Sequence, residues 1–380
     1  MLLLGGQDKA NELPKNFTES SISFASNIYK SVLTFNENEN IVISPFSVQI
    51  AGAILFAGAS GSTADLLATG LQFISKDRSP VFNCFEHILE KLQTSPSLKT
   101  VNKIYLKTGI SIRPSFQTIL SNKFKSEVDH IDLQDPKAAA ETMNSWVNKK
   151  TSGKITNMIN SDAIDQLSAA FILNAVYLKG TWAHEFPKKK TKESKFWFTQ
   201  TDSSNVKMMQ DTKYYKLKFL YEYSSTAVEL PFKDEYFSMV VVVPRQRTGL
   251  KDLEKRLMED SFRPLLEGYR ELKALVKLPI FKIESSLELK EIFMKMGMTK
   301  IFDKADFREM SDQGLNLKVG GITHKAVIEV NEEGAEAAAS TGVRIAFRSS
   351  PLEIVADHPF MYLLKGKSGE IYFLGRYVKP

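Results

Sequence analysis

A single cysteine in 380 residues, Cys84, excludes any disulfide within the chain. Its scarcity fits a reducing compartment, although large secreted domains also dispense with disulfides. Histidine is scarce too: five residues lie scattered along the chain, without the close spacing of a metal centre. Neither a metal nor a cofactor is expected. No apolar run approaches the ~20 residues of a membrane-spanning helix, so no membrane partner is expected. Met1–Gly6 is too short for a signal peptide and lacks its basic flank, so the chain is read as leaderless or as having lost a leader. Repeats, low-complexity tails and Pro/Gly/Ser-rich linkers are also missing. Residues 1–380 therefore read as one domain.

Three near-motifs fail as enzyme signatures. His184-Glu185-Phe186-Pro187 begins like a zinc helix, but Lys188 stands where the second histidine belongs and Pro187 would disrupt the helix. Gly366-Lys367-Ser368 resembles the end of a phosphate loop, yet position 361 is Met. Gly58-Ala59-Ser60-Gly61-Ser62 misplaces the closing glycine of a nucleophile elbow. The chain is not expected to be an enzyme.

What is present is ordinary for a folded, soluble protein: 43% hydrophobic and 25% charged residues, with a formal net charge of +6. A nucleic-acid binder gathers its basic residues on one face or stripe, and no nucleic-acid partner is expected. The densest basic cluster is Lys188, Lys189, Lys190, Lys192 and Lys195. It reads as a solvated loop after Pro187, or as a patch drawing a glycosaminoglycan by field alone. Asn16-Phe17-Thr18 is the only glycosylation sequon, making Asn16 the candidate acceptor.

Hydrophobic spacing places helices first. Phe17–Phe35 carries apolar residues three and four apart. Ser44-Pro45 suits a helix start, and Phe46–Ala57 is apolar almost all round, so that helix is expected to be buried. After about Phe171 strands dominate: Ala169–Leu178, Phe237–Val243, Val276–Ile283, Ala326–Val330, Leu352–Val355, Phe360–Leu364 and Ile371–Val378. The class is α+β, with large sheets covered by helices.

Asn331 to Pro351 breaks the pattern, being longer than the ~12–15 residues of most ordered loops. At period two, Ala335, Ala337, Ala339, Thr341, Val343, Ile345 and Phe347 share one face, all small or apolar. Glu336, Ala338, Ser340, Gly342, Arg344 and Ala346 share the other, which takes both charges. This is the alternation of a half-buried strand. The segment reads as a loop that can become a strand.

Here the sequence closely resembles the serpins. Asn40–Ser47 (NIVISPFS) is similar to the lead-in to their second helix, and Asn144–Ile155 (NSWVNKKTSGKI) to their helix over the main sheet. Leu173–Trp182 (LNAVYLKGTW), Val228–Phe232 (VELPF) and His324-Lys325-Ala326 followed by Asn331-Glu332-Glu333-Gly334 match further signatures. Asp357-His358-Pro359-Phe360 and Phe373-Leu374-Gly375-Arg376 match the closing strands.

The resemblance implies the serpin fold: three β-sheets, about eight or nine helices and an exposed reactive-centre loop at about 334–351. It implies a metastable monomer that inhibits a peptidase by loop cleavage and insertion. The hinge would be Glu332, Glu333, Gly334, Ala335, Glu336, Ala337, Ala338, Ala339, Ser340 and Thr341. Ser44, Ser47, Asn174 and His324 would form the hydrogen-bonded shutter, with Trp182 at the breach. Counting seventeen residues from Glu332, the family's usual loop length, reaches Arg348, so the reactive bond would be Arg348-Ser349. Ile345, Ala346 and Phe347 would fill the adjoining subsites. Arginine there suits a trypsin-like serine peptidase, whereas Phe347-Arg348 also suits a cathepsin-L-like cysteine peptidase. A non-inhibitory carrier or chaperone is the other alternative. Secretion is the expected localisation, with an intracellular, leaderless form as the alternative.

Overall fold

The computed structural model describes residues 13–313, 317–333 and 351–380. In chain order, α1 (Lys15–Leu33), β1 (Ile41–Ile43), α2 (Pro45–Gly58), α3 (Gly61–Gly70) and α4 (Arg78–Gln93) come first. Next are β2 (Leu98–Lys107), α5 (Pro114–Phe124), β3 (Glu127–Ile131), α6 (Pro136–Lys150) and β4 (Ala170–Leu178). Then follow β5 (Lys192–Trp197), β6 (Ser203–Leu220), β7 (Ser225–Pro231), β8 (Phe237–Pro244) and α7 (Leu250–Asp260). Last are β9 (Arg270–Pro279), β10 (Phe281–Glu288), α8 (Leu289–Lys295), β11 (Val319–Val330), β12 (Leu352–Val355), β13 (Phe360–Gly366) and β14 (Ile371–Tyr377). Among the described residues there are thus eight α-helices.

The contacts divide the chain into two compact units. The first contains, among the described residues, α1 up to Val32, residues 44–177, 285–313 and 317–326. Its centre is α2, every residue of which is buried. Ser44 caps this helix, its hydroxyl accepting the Ser47 amide at 3.2 Å, while Pro45 occupies the first turn where no amide partner is needed. An aromatic cluster packs here: Phe85 meets Phe17 and Phe46 at 5.6 and 5.8 Å between ring centroids. Such edge and tilted contacts add to the burial of each ring.

One sheet has five strands in the order β10-β11-β4-β2-β3. All nine residues of β4 are buried, as expected of a strand that is apolar on both faces but for Asn174.

The second unit contains residues 33–43, 178–284 and, among those described, 327–333 and 351–380. Its strands follow the path β1-β14-β13-β8-β7-β6-β9-β12, with β5 added on β6. The long β6 joins two strand sets: its start pairs β5, Met208–Leu217 pair β9, and its end pairs β7. Together with the five-stranded sheet, these make three groups of strands. Gly375 lies on β14 between its neighbours β1 and β13; a Cβ there would fall 2.2 Å from the Ile41 carbonyl oxygen and 2.5 Å from the Tyr362 hydroxyl.

Two strand expectations change. Val276–Ile283 is the junction of β9 and β10, broken at Ile280 after Pro279. The strand ending at Val330 begins at Val319, seven residues before the expected Ala326.

Candidate functional site

The four polar residues expected to act together do meet, within the first unit. The His324 ring is fully buried, and its Nε2 accepts the Ser44 amide hydrogen at 3.2 Å. Because an amide can only donate, the proton of the neutral ring belongs on Nδ1. That N–H donates to Asn174 Oδ1 at 2.5 Å. The Asn174 amide nitrogen donates in turn to the Ser47 hydroxyl at 2.7 Å, to the Ser47 carbonyl at 3.0 Å and to Asn102 Oδ1. Ser47 Oγ also lies 3.3 Å from Thr100 Oγ1.

Every buried group in this chain of contacts has a partner, so the desolvation cost of placing polar atoms among apolar strands is offset. Burial drives the His324 pKa down to about 3. The geometry agrees: a second ring proton on Nε2 would point at the Ser44 N–H. Asn102 and Thr100, both on β2, belong to the network but escaped the sequence reading. Asn102 is a polar residue at a buried strand position, a signal visible only once β2 is placed.

A second constellation stands in the second unit, where β11 ends. Trp182 is buried, and its indole N–H donates to the Asn331 carbonyl at 2.7 Å. Its backbone N–H reaches the Glu333 carbonyl at 3.4 Å. The ring packs edge-on against Phe232 at 5.0 Å and Phe186 at 6.3 Å. Gly180 makes this possible, since a Cβ there would lie 2.0 Å from the Phe232 ring. Thus LKGTW and VELPF, far apart in sequence, form one packed corner.

Side chains fasten the same stretch. Lys179 bridges Glu329 at 3.2 Å and Glu333 at 3.3 Å. Burial opposes its charge, but the two carboxylates outweigh it and hold the ammonium pKa above its ordinary value. Thr191 donates to Glu332 Oε1 at 2.8 Å, and Asn331 Oδ1 accepts the Glu333 amide at 3.0 Å. Lys188 adds a longer contact to Glu333 at 3.8 Å. The backbone is therefore held up to Glu333, with Lys179 and Thr191 as holders that the sequence did not single out.

Beyond Glu333 lie the expected hinge residues Gly334, Ala335, Glu336, Ala337, Ala338, Ala339, Ser340 and Thr341. These, with Ile345, Ala346, Phe347, Arg348 and Ser349, fall outside the described residues. Description resumes at Pro351, and β12 then pairs parallel to β9, Leu352 opposite Ala274.

A family model described as serpin (serine protease inhibitor) matches residues 19–380. The chain is a serpin. Among its relatives, serine protease inhibitor 42Dd of Drosophila melanogaster is 35% identical over 368 residues, covering 96% of this chain and 97% of the relative. Serpin48 of the insect Tenebrio molitor, a solved structure, is 32% identical with a TM-score of 0.86 and covers 99% of both chains. Cleaved Serpin 42Da is 34% identical with a TM-score of 0.87, covering 96% of this chain and 99% of that structure. The family is described as one of peptidase inhibitors rather than enzymes, and the eight helices and mixed sheets among the described residues match those structures.

Proposed function

We propose that this serpin is a suicide-substrate inhibitor of a trypsin-like serine peptidase, with Arg348-Ser349 as the bond attacked. The observation that carries the reading is the alternation from Ala335 to Phe347, which continues from a backbone fastened at Glu333. The peptidase serine adds to the Arg348 carbonyl, the Ser349 amine leaves with a proton, and Arg348 remains as an acyl ester. The freed segment then inserts between β11 and β4, which are neighbours in the five-stranded sheet. The His324–Asn174 hydrogen bond joins these two strands, so it stands where they must part.

Insertion adds on the order of ten ladder hydrogen bonds at ~1 kcal/mol net each. That is comparable with the ~5–15 kcal/mol stability of an entire domain. The intact chain is then held by a barrier, which is the sense in which it is metastable. Small side chains at Ala335, Ala337 and Ala339 on the inward face and Ala338 on the outward one let the strand form before the ester hydrolyses. Residues 1–380 act as one serpin domain and as a monomer.

A second reading rests on Phe347, an apolar residue beside Arg348 that suits a cathepsin-L-like cysteine peptidase. Secretion fits an arginine bait and a sequon whose Asn16 is exposed in the first turn of α1. The lysines at 188–190 and 192 are exposed and offer charge to a glycosaminoglycan, although Lys190 already pairs with Asp211 at 2.5 Å. Melting before and after cleavage of the loop tests the insertion reading. A gain of tens of degrees supports it; an unchanged melting temperature assigns the chain to the carrier or chaperone class.

A further inference from the structure

The second unit carries a cleft of about 390 Å³ that loop insertion does not use. Phe198, Leu250, Pro359 and Val378 supply apolar wall, and the volume lies in the ~300–1,000 Å³ range of small-ligand pockets. Phe198 follows β5 in a turn closed by its own amide to the Asp202 carbonyl at 3.1 Å and by the Thr199 hydroxyl to Asp202 Oδ2 at 2.8 Å. Phe198 is 39% exposed, so its side chain offers apolar surface at the mouth of the cleft.

Four cations line the same cleft: Arg247, Lys251, Arg376 and Lys379. Three already hold a carboxylate. Lys251 pairs with Glu37 at 3.0 Å, Lys379 with Glu39 at 2.9 Å, and buried Arg376 with buried Glu254 at 3.0 Å. Arg247 differs. Its guanidinium lies 3.9 Å from the centre of the Trp197 ring and donates to the Gln200 carbonyl at 3.3 Å, with no carboxylate partner among the described residues. Stacking fixes the plane of the guanidinium while leaving donors on its edge, so little side-chain entropy is lost on meeting an anion.

We propose that this cleft binds a small monoanion with an apolar body, a carboxylate on an acyl or aryl frame. The charge meets Arg247, and the body lies against Phe198, Leu250 and Val378. A cation would face Arg247 unpaired, and a dianion would find no second uncommitted cation. One free guanidinium beside an apolar wall selects a single negative charge.

Calorimetric titration of the full chain with sodium decanoate, below its micellar range, tests this directly, with decanol and decyltrimethylammonium as matched probes. The expected result is saturable 1:1 decanoate binding, weakened about tenfold or more by Arg247→Gln, with decanol weaker by a similar factor. Phe198→Asp is expected to abolish it. Arg247 is a surface residue, so Arg247→Gln keeps the test informative should Phe198→Asp unfold, which a melting curve shows. No saturable decanoate binding, equal affinity for decanol, or an unaffected Arg247→Gln variant overturns the proposal. The titration reads binding alone, so its outcome is independent of peptidase inhibition.

Discussion

His324 and Asn174 join neighbouring strands through one short hydrogen bond, 2.5 Å from the ring Nδ1 to the amide Oδ1. The direction of the bond is fixed by the Ser44 amide on the other side of the ring, which only a neutral imidazole accepts. A proton added to Nε2 would face the Ser44 N–H, so protonation works against this buried contact.

The consequence is a pH dependence of stability. The pKa of His324 is near its ordinary 6.5 in the unfolded chain and is pushed down to about 3 by burial in the folded one. Between these values the unfolded chain binds the extra proton, so unfolding is favoured as pH falls. The stabilisation is fully present above about 6.5 and is lost on acidification towards 3, by up to about 5 kcal/mol. Melting curves from pH 7.5 to 4 check it. The expected outcome is a steep fall that becomes shallower in His324→Asn.

Asn174→Ala is expected to destabilise more than Ser47→Ala. It strips partners from the His324 ring, the Ser47 hydroxyl and Asn102 together, each buried orphan costing about 1–3 kcal/mol. Ser47→Ala leaves the His324–Asn174 bond intact. Comparing the two melting temperatures decides between a connected network and separate satisfied groups.

Trp182→Phe keeps an aromatic ring against Phe232 but deletes the N–H that holds Asn331. A loss of about 1 kcal/mol is expected at this corner. Lys179→Ala is expected to cost less than about 1 kcal/mol, because its ion pairs are partly exposed. The half-life of inhibitory activity during incubation below the melting temperature measures both, and the tryptophan variant is expected to lose activity sooner.

Much of this was legible in the sequence, for different reasons. The helix α2 declares itself by a serine cap, a first-turn proline and an apolar surface all round. The strand β12 stands where the run Leu352–Val355 placed it. By contrast β6 was missed, because its 18 residues include many lysines, tyrosines and other polar groups whose half-buried pattern resembles a surface loop. The start of β11 was hidden by Gly320-Gly321 and the polar Thr323, which take their place through partners distant in sequence such as Glu288. Ser44, Ser47, Asn174 and His324, which the structure joins in one buried polar network, were singled out from family resemblance alone. Asn102, Lys179 and Thr191 were not, since their roles rest on long-range contacts with no local periodicity.

Ala337→Arg is expected to turn the inhibitor into a substrate. In the sequence alternation position 337 belongs to the small, apolar set proposed to face inward on insertion, where an unpaired charge would carry a heavy desolvation cost. Slower insertion then lets the acyl ester hydrolyse. Gel electrophoresis of the variant with trypsin checks this; a covalent complex at wild-type yield would count against insertion.

The most direct measurement is incubation of the intact chain with trypsin and, separately, with a cathepsin-L-like enzyme. Denaturing gels and mass spectrometry read the products. A detergent-stable complex with trypsin and release of the peptide beginning at Ser349 are expected, both lost in Arg348→Ala. Trapping of the cysteine enzyme alone would keep the mechanism and change the target. Clean cleavage by both enzymes, with no covalent complex, would contradict the account.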